Sequence, residues 1–167
     1  MLSFSPVVRT VAEAADRPYA YIICAFKYVP EVTTTPALLA PLLAALTRDA
    51  LHPTTFVLLQ NGIGIEDDLL AALAATTAPA AVISGCCWVD VTAVDGGRRV
   101  VHTGTRQRLV LGYHRPPLSD SEAAPAWFSD DTSKKSLEDL CSLFRAGGSV
   151  TDAAPDADIA RWRKVLW

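Results

Sequence analysis

The stretch Phe56-Val-Leu-Leu-Gln-Asn-Gly-Ile-Gly-Ile-Glu66 decides the fold class of this chain. It begins with four apolar residues, a run typical of a strand that is buried on both faces of a parallel sheet. The run ends at Gln60, and Asn61, Gly62 and Gly64 follow before a helical pattern begins. The stretch therefore predicts a strand, a turn and a helix, and open α/β sheets bind ligands beyond the carboxyl ends of such strands. An ordinary strand-to-helix turn is the alternative, because Asn-Gly is a common turn dipeptide.

The composition excludes several functional classes. Of the 167 residues, 50% are hydrophobic and 20% are charged, which is typical of a folded domain rather than a disordered chain. A formal net charge of −3 offers no bulk attraction to nucleic acid or to an anionic membrane. No apolar run approaches the ~18 residues of a membrane span, and residues 1–15 lack a signal-peptide pattern. The four cysteines form no CxxC pair, so we expect free thiols and a cytoplasmic location.

The first half of the chain alternates strand-like and helical patterns. Strands are predicted at 19–26, 54–59 and 80–89, with helices at 33–47 and 66–75 between them. Strand, helix, strand, helix, strand is the order typical of a parallel sheet with covering helices. Thr35 is the expected cap of the first of these helices.

The second half has a different pattern, in which turn residues interrupt shorter apolar runs. The segment Thr103-Gly-Thr-Arg-Gln107 is polar and lies between two of these runs, so we expect tight turns there. We predict short strands around 100–101 and 109–111 as an antiparallel hairpin at the sheet edge, a loop at 115–130, a helix at 132–146, a short strand at 149–151 and a helix at 157–167 that begins after Asp156.

Polar side chains at two strand ends suggest a binding crevice. Lys27 follows the first predicted strand and Asn61 follows the second. Since parallel strands present their carboxyl ends at one edge of the sheet, both side chains are expected at the same rim. The alternative for Lys27 is a lysine that simply reaches solvent at the end of a strand.

The last predicted helix contains the cationic segment Arg161-Trp-Arg-Lys164. One interpretation is a solvated basic face. The alternative is a lysine that donates a proton or anchors an anionic substrate, because burial lowers the pKa of lysine more readily than that of arginine. By contrast, His52, His102 and His114 are widely spaced without nearby carboxylates in sequence, so no metal site is expected.

Several of these motifs resemble the ketopantoate reductase (2-dehydropantoate 2-reductase) family. Their order and spacing match from about residue 16 to the end of the chain. The motifs are Lys27-Tyr-Val-Pro-Glu31, Leu59-Gln-Asn-Gly-Ile-Gly-Ile-Glu66, Ser84-Gly85, Thr103-Gly-Thr105, Arg145-Ala-Gly-Gly148 and Ala160-Arg-Trp-Arg-Lys-Val-Leu-Trp167.

The resemblance implies NADPH-dependent reduction of 2-dehydropantoate, a small 2-oxo acid, to pantoate on the route to pantothenate and coenzyme A. Lys164 matches the family's general acid, and together with Asn61 it is expected to bind the substrate. Lys27, Asn61 and Gly62 are expected to contact the cofactor at its nicotinamide end. The implied fold is α/β: a partial Rossmann-like parallel sheet with covering helices, an antiparallel edge hairpin and the start of an interdomain helix.

The chain departs from the family pattern because it contains no GxGxxG turn, and Asp67 stands where the third glycine of the nearest similar string would be. We expect residues 1–155 to form an incomplete nucleotide-binding domain and residues 156–167 to begin the helix that leads to a missing helical C-terminal domain. As this chain the reductase is expected to be inactive or incomplete. The rival hypothesis is a non-catalytic remnant that acts as a binding or dimerisation module, with the segment from Trp162 to Trp167 as its partner surface and a homodimer as one possible assembly.

Overall fold

Five strands form one mixed sheet in the computed structural model, which describes residues 7–46, 53–116 and 123–166. Their spatial order follows the chain, with parallel β1–β2, β2–β3 and β4–β5 pairs and an antiparallel β3–β4 pair. The strands are β1 (Tyr21–Cys24), β2 (Thr54–Leu58), β3 (Ala80–Val94), β4 (Arg99–Tyr113) and β5 (Thr151–Ala153). The predicted fold class, α/β with a mainly parallel sheet, is confirmed in its first three strands.

Five α-helices accompany the sheet in the part of the chain that the structure describes. They are α1 (Val11–Ala14), α2 (Thr35–Ala44), α3 (Asp67–Ala74), α4 (Asp130–Ala146) and α5 (Ala157–Val165). The side chains of Thr34, Ser129 and Asp156 cap α2, α4 and α5 by accepting a backbone N–H three residues ahead. Within the described segments, no helix has the length and apolar content needed to cross a membrane.

Helices cover both faces of the sheet, and β2 shows why its sequence is continuously apolar. Phe56 and Leu58 belong to one buried cluster, which includes Leu69 of α3. Val57 belongs to a second cluster, which includes Leu137 of α4. Each fully buried side chain of this kind contributes about 1.5–3 kcal/mol to folding. A strand with apolar side chains on both faces is therefore held between two helical layers, as the first four residues of the motif predict.

The predicted antiparallel pairing is confirmed in the β3–β4 pair, but the position of the hairpin differs in two respects. Residues 99–113 form the single strand β4, and the turn lies earlier, at Asp95–Gly97, where all three residues have positive φ. Tight turns were expected in the polar segment 103–107. This segment instead lies inside β4 at a shift of register, and Gly104 allows a close approach, since a Cβ there would collide with Asp90. The hairpin is also not at the edge, because β5 pairs with β4.

Smaller differences concern element ends. Thr34 caps α2, whereas the expected cap Thr35 is its first residue and is fully buried. The last strand begins at Thr151 rather than two residues earlier. The predicted loop at 115–130 includes 117–122, which lie outside the described residues, as do Thr47, His52 and Trp167.

Candidate active site

The loop after β2 presents Asn61 at the carboxyl rim of the sheet. Asn61 is exposed, whereas the side chain of its neighbour Gln60 is buried. Gly62 follows with φ +131°, and a Cβ at this position would lie 2.5 Å from Ile65 Cγ2. The loop therefore requires glycine at residue 62, both for its backbone conformation and for the packing of Ile65.

Helix α5 brings Lys164 to this loop. Its Nζ donates to Asn61 Oδ1 at 2.7 Å and to the Cys87 carbonyl oxygen at 2.6 Å. It also lies 5.8 Å from the centre of the Trp88 ring, within cation–π range. Two of the predicted site residues, 103 positions apart in sequence, thus form a direct contact.

Lys27 is not part of this contact. It lies in the loop after β1, exposed, and forms no hydrogen bond or ion pair with any residue that the structure describes. It shares the carboxyl side of the parallel strands with Asn61, as predicted, but its part in cofactor binding stays a prediction. The same is true of Gly62, whose carbonyl oxygen accepts a hydrogen bond from Arg161.

Arg161 is a buried centre of the site that the sequence did not reveal. Its side chain is only 3% exposed. Nη1 donates to the carbonyl oxygens of Gly62, at 2.5 Å, and Gln60, at 3.4 Å. Nη2 donates to Ser84 Oγ at 2.5 Å, and Nε lies 3.6 Å from Glu66 Oε2. Helical periodicity could have distinguished Arg161 and Lys164 from Arg163, because residues 161 and 164 share one face of a helix and 163 does not.

Ser84 extends this network to a buried histidine. Ser84 Oγ lies 2.6 Å from His114 Nε2, and His114 Nδ1 lies 3.7 Å from Asp158 Oδ1. Burial lowers the pKa of His114 to about 4, against the opposing attraction of Asp158, so the ring is neutral at pH 7. Since Arg161 donates to Ser84 Oγ, we assign the Ser84 proton to His114 Nε2 and the ring proton to Nδ1, facing Asp158.

Two carboxylates flank the same histidine, contrary to the sequence-based expectation. Glu66, His114 and Asp158 place ligand atoms within 4.8 Å of one another. Burial raises the pKa of Glu66, while the charge of Arg161 opposes this shift. The guanidinium therefore supplies a positive charge beside Glu66, and the absence of a metal stays a prediction. Sequence spacing could not reveal the cluster, because its members come from three separate elements.

The cysteines beside the site are not activated. Burial raises the pKa of the Cys86 and Cys87 thiols, and the nearby lysine opposes this only in part. All four cysteines are free, as expected. Thiols held in the neutral form are poor nucleophiles, which agrees with a packing role.

A small cavity of about 200 Å³ lies at the Asn61–Lys164 contact. This is below the ~300–1,000 Å³ of sites that enclose drug-sized ligands. It matches a small oxo acid or one ring of a dinucleotide. Its lining comes from Gln60, Asn61, Gly62, Gly85, Cys86, Arg161, Lys164 and Val165.

A larger groove of about 800 Å³ lies beside α5 and has mostly apolar walls, which include Trp88 and Ile159. Among its polar side chains, Arg108 and Asp152 pair with each other at 2.7 Å. The groove is therefore large, but reactive side chains do not converge in it. We place the candidate active site at the smaller cavity, where the cations and amide groups meet.

Comparison with known proteins identifies the family to which these features correspond. A family model described as ketopantoate reductase PanE/ApbA matches residues 2–116, which confirms the resemblance inferred from the motifs. No match was found among curated proteins.

Solved structures with the same fold include two bacterial 2-dehydropantoate 2-reductases. The enzyme from Geobacter metallireducens GS-15 has 23% identity and a TM-score of 0.65, with 96% of this chain and 43% of that chain covered. The enzyme from Methylococcus capsulatus has 28% identity and a TM-score of 0.64, with 96% of this chain and 42% of that chain covered. A PanE/ApbA family ketopantoate reductase from Ralstonia eutropha JMP134 has 20% identity and a TM-score of 0.55, with 93% and 40% covered. The chain thus spans about two fifths of the length of these structures, and the Rossmann-like fold class is confirmed.

Proposed function

Because the chain belongs to the ketopantoate reductase family, we propose that it carries the proton-donating part of an NADPH-dependent reduction of 2-dehydropantoate to pantoate. This reaction belongs to pantothenate and coenzyme A synthesis. The observation that carries the proposal is the Lys164 ammonium group, which Asn61 and the Cys87 carbonyl hold at the mouth of the small cavity.

Two hydrogen bonds of Lys164 leave one N–H donor of its ammonium group unused. An ammonium group has three N–H donors, and two of them are directed to Asn61 Oδ1 and to the Cys87 carbonyl oxygen. The third donor is therefore available to a ligand in the cavity. When hydride reaches the carbonyl carbon of a 2-oxo acid, negative charge develops on the carbonyl oxygen, and a cationic donor at that point stabilises it.

Asn61 orients both the lysine and the ligand. Its Oδ1 accepts from Lys164, which fixes the direction of its NH₂ group. That NH₂ group is then a donor for the substrate carboxylate or for the carboxamide of a nicotinamide ring. We assign substrate binding to Asn61 and Lys164 together.

NADPH supplies the hydride when it is bound. The residues present fit its nicotinamide end, because the cavity has room for one ring and Asn61 offers an amide at its edge. Asn61 and Gly62 would hold that end, with Lys27 on the same side of the sheet. These residues fit the nicotinamide end of the cofactor and do not account for its phosphates.

The test is reductase activity in the natural polypeptide that carries this sequence. Lys164→Met removes the proton donor and retains a long apolar side chain. We expect kcat for 2-dehydropantoate to fall about 100- to 10,000-fold, the usual contribution of a general acid. Arg163→Met is the matched control, because Arg163 is an exposed cation on the same helix, and its kcat should remain near that of the wild type. A Lys164→Met enzyme that keeps its kcat within a few-fold would refute the role of Lys164.

One observation favours a second candidate, a non-catalytic binding or dimerisation module. Ile159, Trp162, Val165 and Leu166 of the last helix and its cap are 52%, 53%, 58% and 80% exposed. Apolar side chains exposed together are typical of interaction surfaces. Light scattering of the purified chain separates the two candidates. Self-association that Trp162→Gln abolishes, in a polypeptide without reductase activity, would favour the module.

A further inference from the structure

Two cations of α5 hold Asn61 from different sides. Arg161 and Lys164 lie one helical turn apart on the same face of the helix. Lys164 binds the side chain of Asn61, whereas Arg161 binds the carbonyl oxygens of the residues before and after it. The backbone and the side chain of one residue are thus attached to one rigid helix.

The loop conformation is what makes this double attachment possible. Gly62 has φ +131°, a value that other residues rarely adopt, and its carbonyl oxygen lies 2.5 Å from Arg161 Nη1. The Gln60 carbonyl oxygen lies 3.4 Å from the same nitrogen. A planar guanidinium is suited to this task, because its donors have fixed directions and bind several acceptors at once.

Arg161 is itself fixed by the sheet and by α3. Ser84 on β3 accepts from Nη2, and Glu66, the residue before α3, lies beside Nε. His114 holds Ser84 from the other side. Little freedom remains for the guanidinium, so it holds α5, and with it Lys164, at a fixed distance from the loop of Asn61.

We propose that Arg161 is a positioning residue that sets the distance between Asn61 and Lys164, and with it the direction of the free Lys164 N–H. This inference rests on the proposed function, because it assigns Arg161 to the alignment of the proton donor. A residue that only stabilised the fold would change the amount of active protein and leave kcat per folded molecule unchanged.

The variants must separate positioning from folding. Arg161→Met alone leaves Glu66 as a buried carboxylate without a cation, so it is compared with the double variant Arg161→Met, Glu66→Gln, which removes both charges. Arg161→Lys retains a cation that reaches one acceptor. Arg163→Met is again the exposed control on α5. Each variant is first checked for cooperative unfolding in urea.

The first measurement needs no substrate and is the rate at which acetic anhydride labels Lys164 in the folded protein, followed by mass spectrometry. Lys27, Lys134 and Lys135, which are exposed, are the internal references. We expect a severalfold faster labelling of Lys164 in both Arg161→Met proteins, an intermediate rate in Arg161→Lys, and the wild-type rate in Arg163→Met. Equal Lys164 rates in all folded variants would overturn the positioning role, whatever the substrate of the enzyme is.

The second measurement is steady-state reduction of 2-dehydropantoate by the natural polypeptide. We expect kcat to fall on the order of 100-fold in the double variant, the cost of a displacement of about 1 Å, with KM for NADPH nearly unchanged and partial rescue in Arg161→Lys. An unchanged kcat in an enzyme that is active would refute the inference. Absence of activity in the wild type would refute the proposed function, and the labelling result would then decide the inference alone.

Discussion

Mild acid should destabilise the fold through His114. The ring is 5% exposed, bonded to Ser84 and surrounded by α5, α3 and the end of β4. Asp158, Asp156 and Asp67 raise its pKa, the Arg161 guanidinium lowers it, and the Glu66 carboxylate also lies beside the ring. Burial outweighs the carboxylates and lowers the pKa of His114 from 6.5 to about 4.

The direction and size of the effect follow from proton linkage. Between pH 6.5 and pH 4 the unfolded chain binds a proton at residue 114 and the folded chain does not. The stability contributed by the neutral ring is therefore complete above pH 6.5 and is lost as the pH falls toward 4. The slope approaches about 1.4 kcal/mol per pH unit, which gives a loss of about 2 kcal/mol from pH 7 to pH 5 and about 3 kcal/mol by pH 4.

Urea unfolding at a series of pH values measures this loss. His114→Gln keeps an acceptor for Ser84 and removes the titrating group. The difference in unfolding free energy between the two proteins at each pH therefore reports residue 114 and not the carboxylates. His102→Gln, at an exposed position on β4, controls for the loss of a histidine and should follow the wild type. If the wild type and His114→Gln lose stability in parallel between pH 7 and pH 5, the buried neutral ring is refuted.

Two further predictions concern the helix α5 and the cofactor. Gly112→Ala should destabilise the fold by about 1–3 kcal/mol and lower activity, because the new Cβ would lie 2.9 Å from the Ala157 Cα atom at the start of α5. Urea unfolding checks this. Gly147→Ala is the comparison, because the backbone there has φ −78° and a new Cβ would lie 3.4 Å or more from its neighbours; equal losses in both variants would contradict the steric explanation. The purified 167-residue chain should bind NADPH weakly, because its cavity of about 200 Å³ admits only one end of the cofactor. Titration calorimetry measures this affinity, and low-micromolar binding would show that the chain holds more of the cofactor than its nicotinamide end.

Sequence patterns predicted the elements that depend on neighbouring residues, such as a buried strand and a helix cap. The run from Phe56 to Leu58 is apolar at every position because helices pack on both faces of β2, so its sequence alone indicates a buried parallel strand. Asp156 was expected to begin the last helix, and its side chain accepts the Ile159 N–H as a cap.

The hairpin shows where such patterns fail. Gly104 and its polar neighbours have the composition of a turn, but they lie inside β4 at a shift of register. Residues 99–102 and 107–113 pair with β3 on either side of them. A glycine that allows close approach and a glycine that allows a turn are identical in sequence. Only the position of Asp90 distinguishes them.

The site was predicted in part for a related reason. Asn61 was identified because it follows a predicted strand, and Lys164 because it matches the general acid of the family that the motifs resemble. Arg161 was not singled out, because its acceptors at residues 60, 62 and 84 are 77 to 101 positions away. Lys27 was placed correctly after β1, but a strand end alone does not determine what the side chain contacts.

The most direct test of the Asn61–Lys164 site is a crystal structure of the natural polypeptide with NADP⁺ and pantoate. The proton-donor assignment predicts Lys164 Nζ at about 3 Å from the pantoate hydroxyl oxygen, with Asn61 still bonded to the lysine. Pantoate bound away from Lys164, for example in the groove between Trp88 and Ile159, would contradict it.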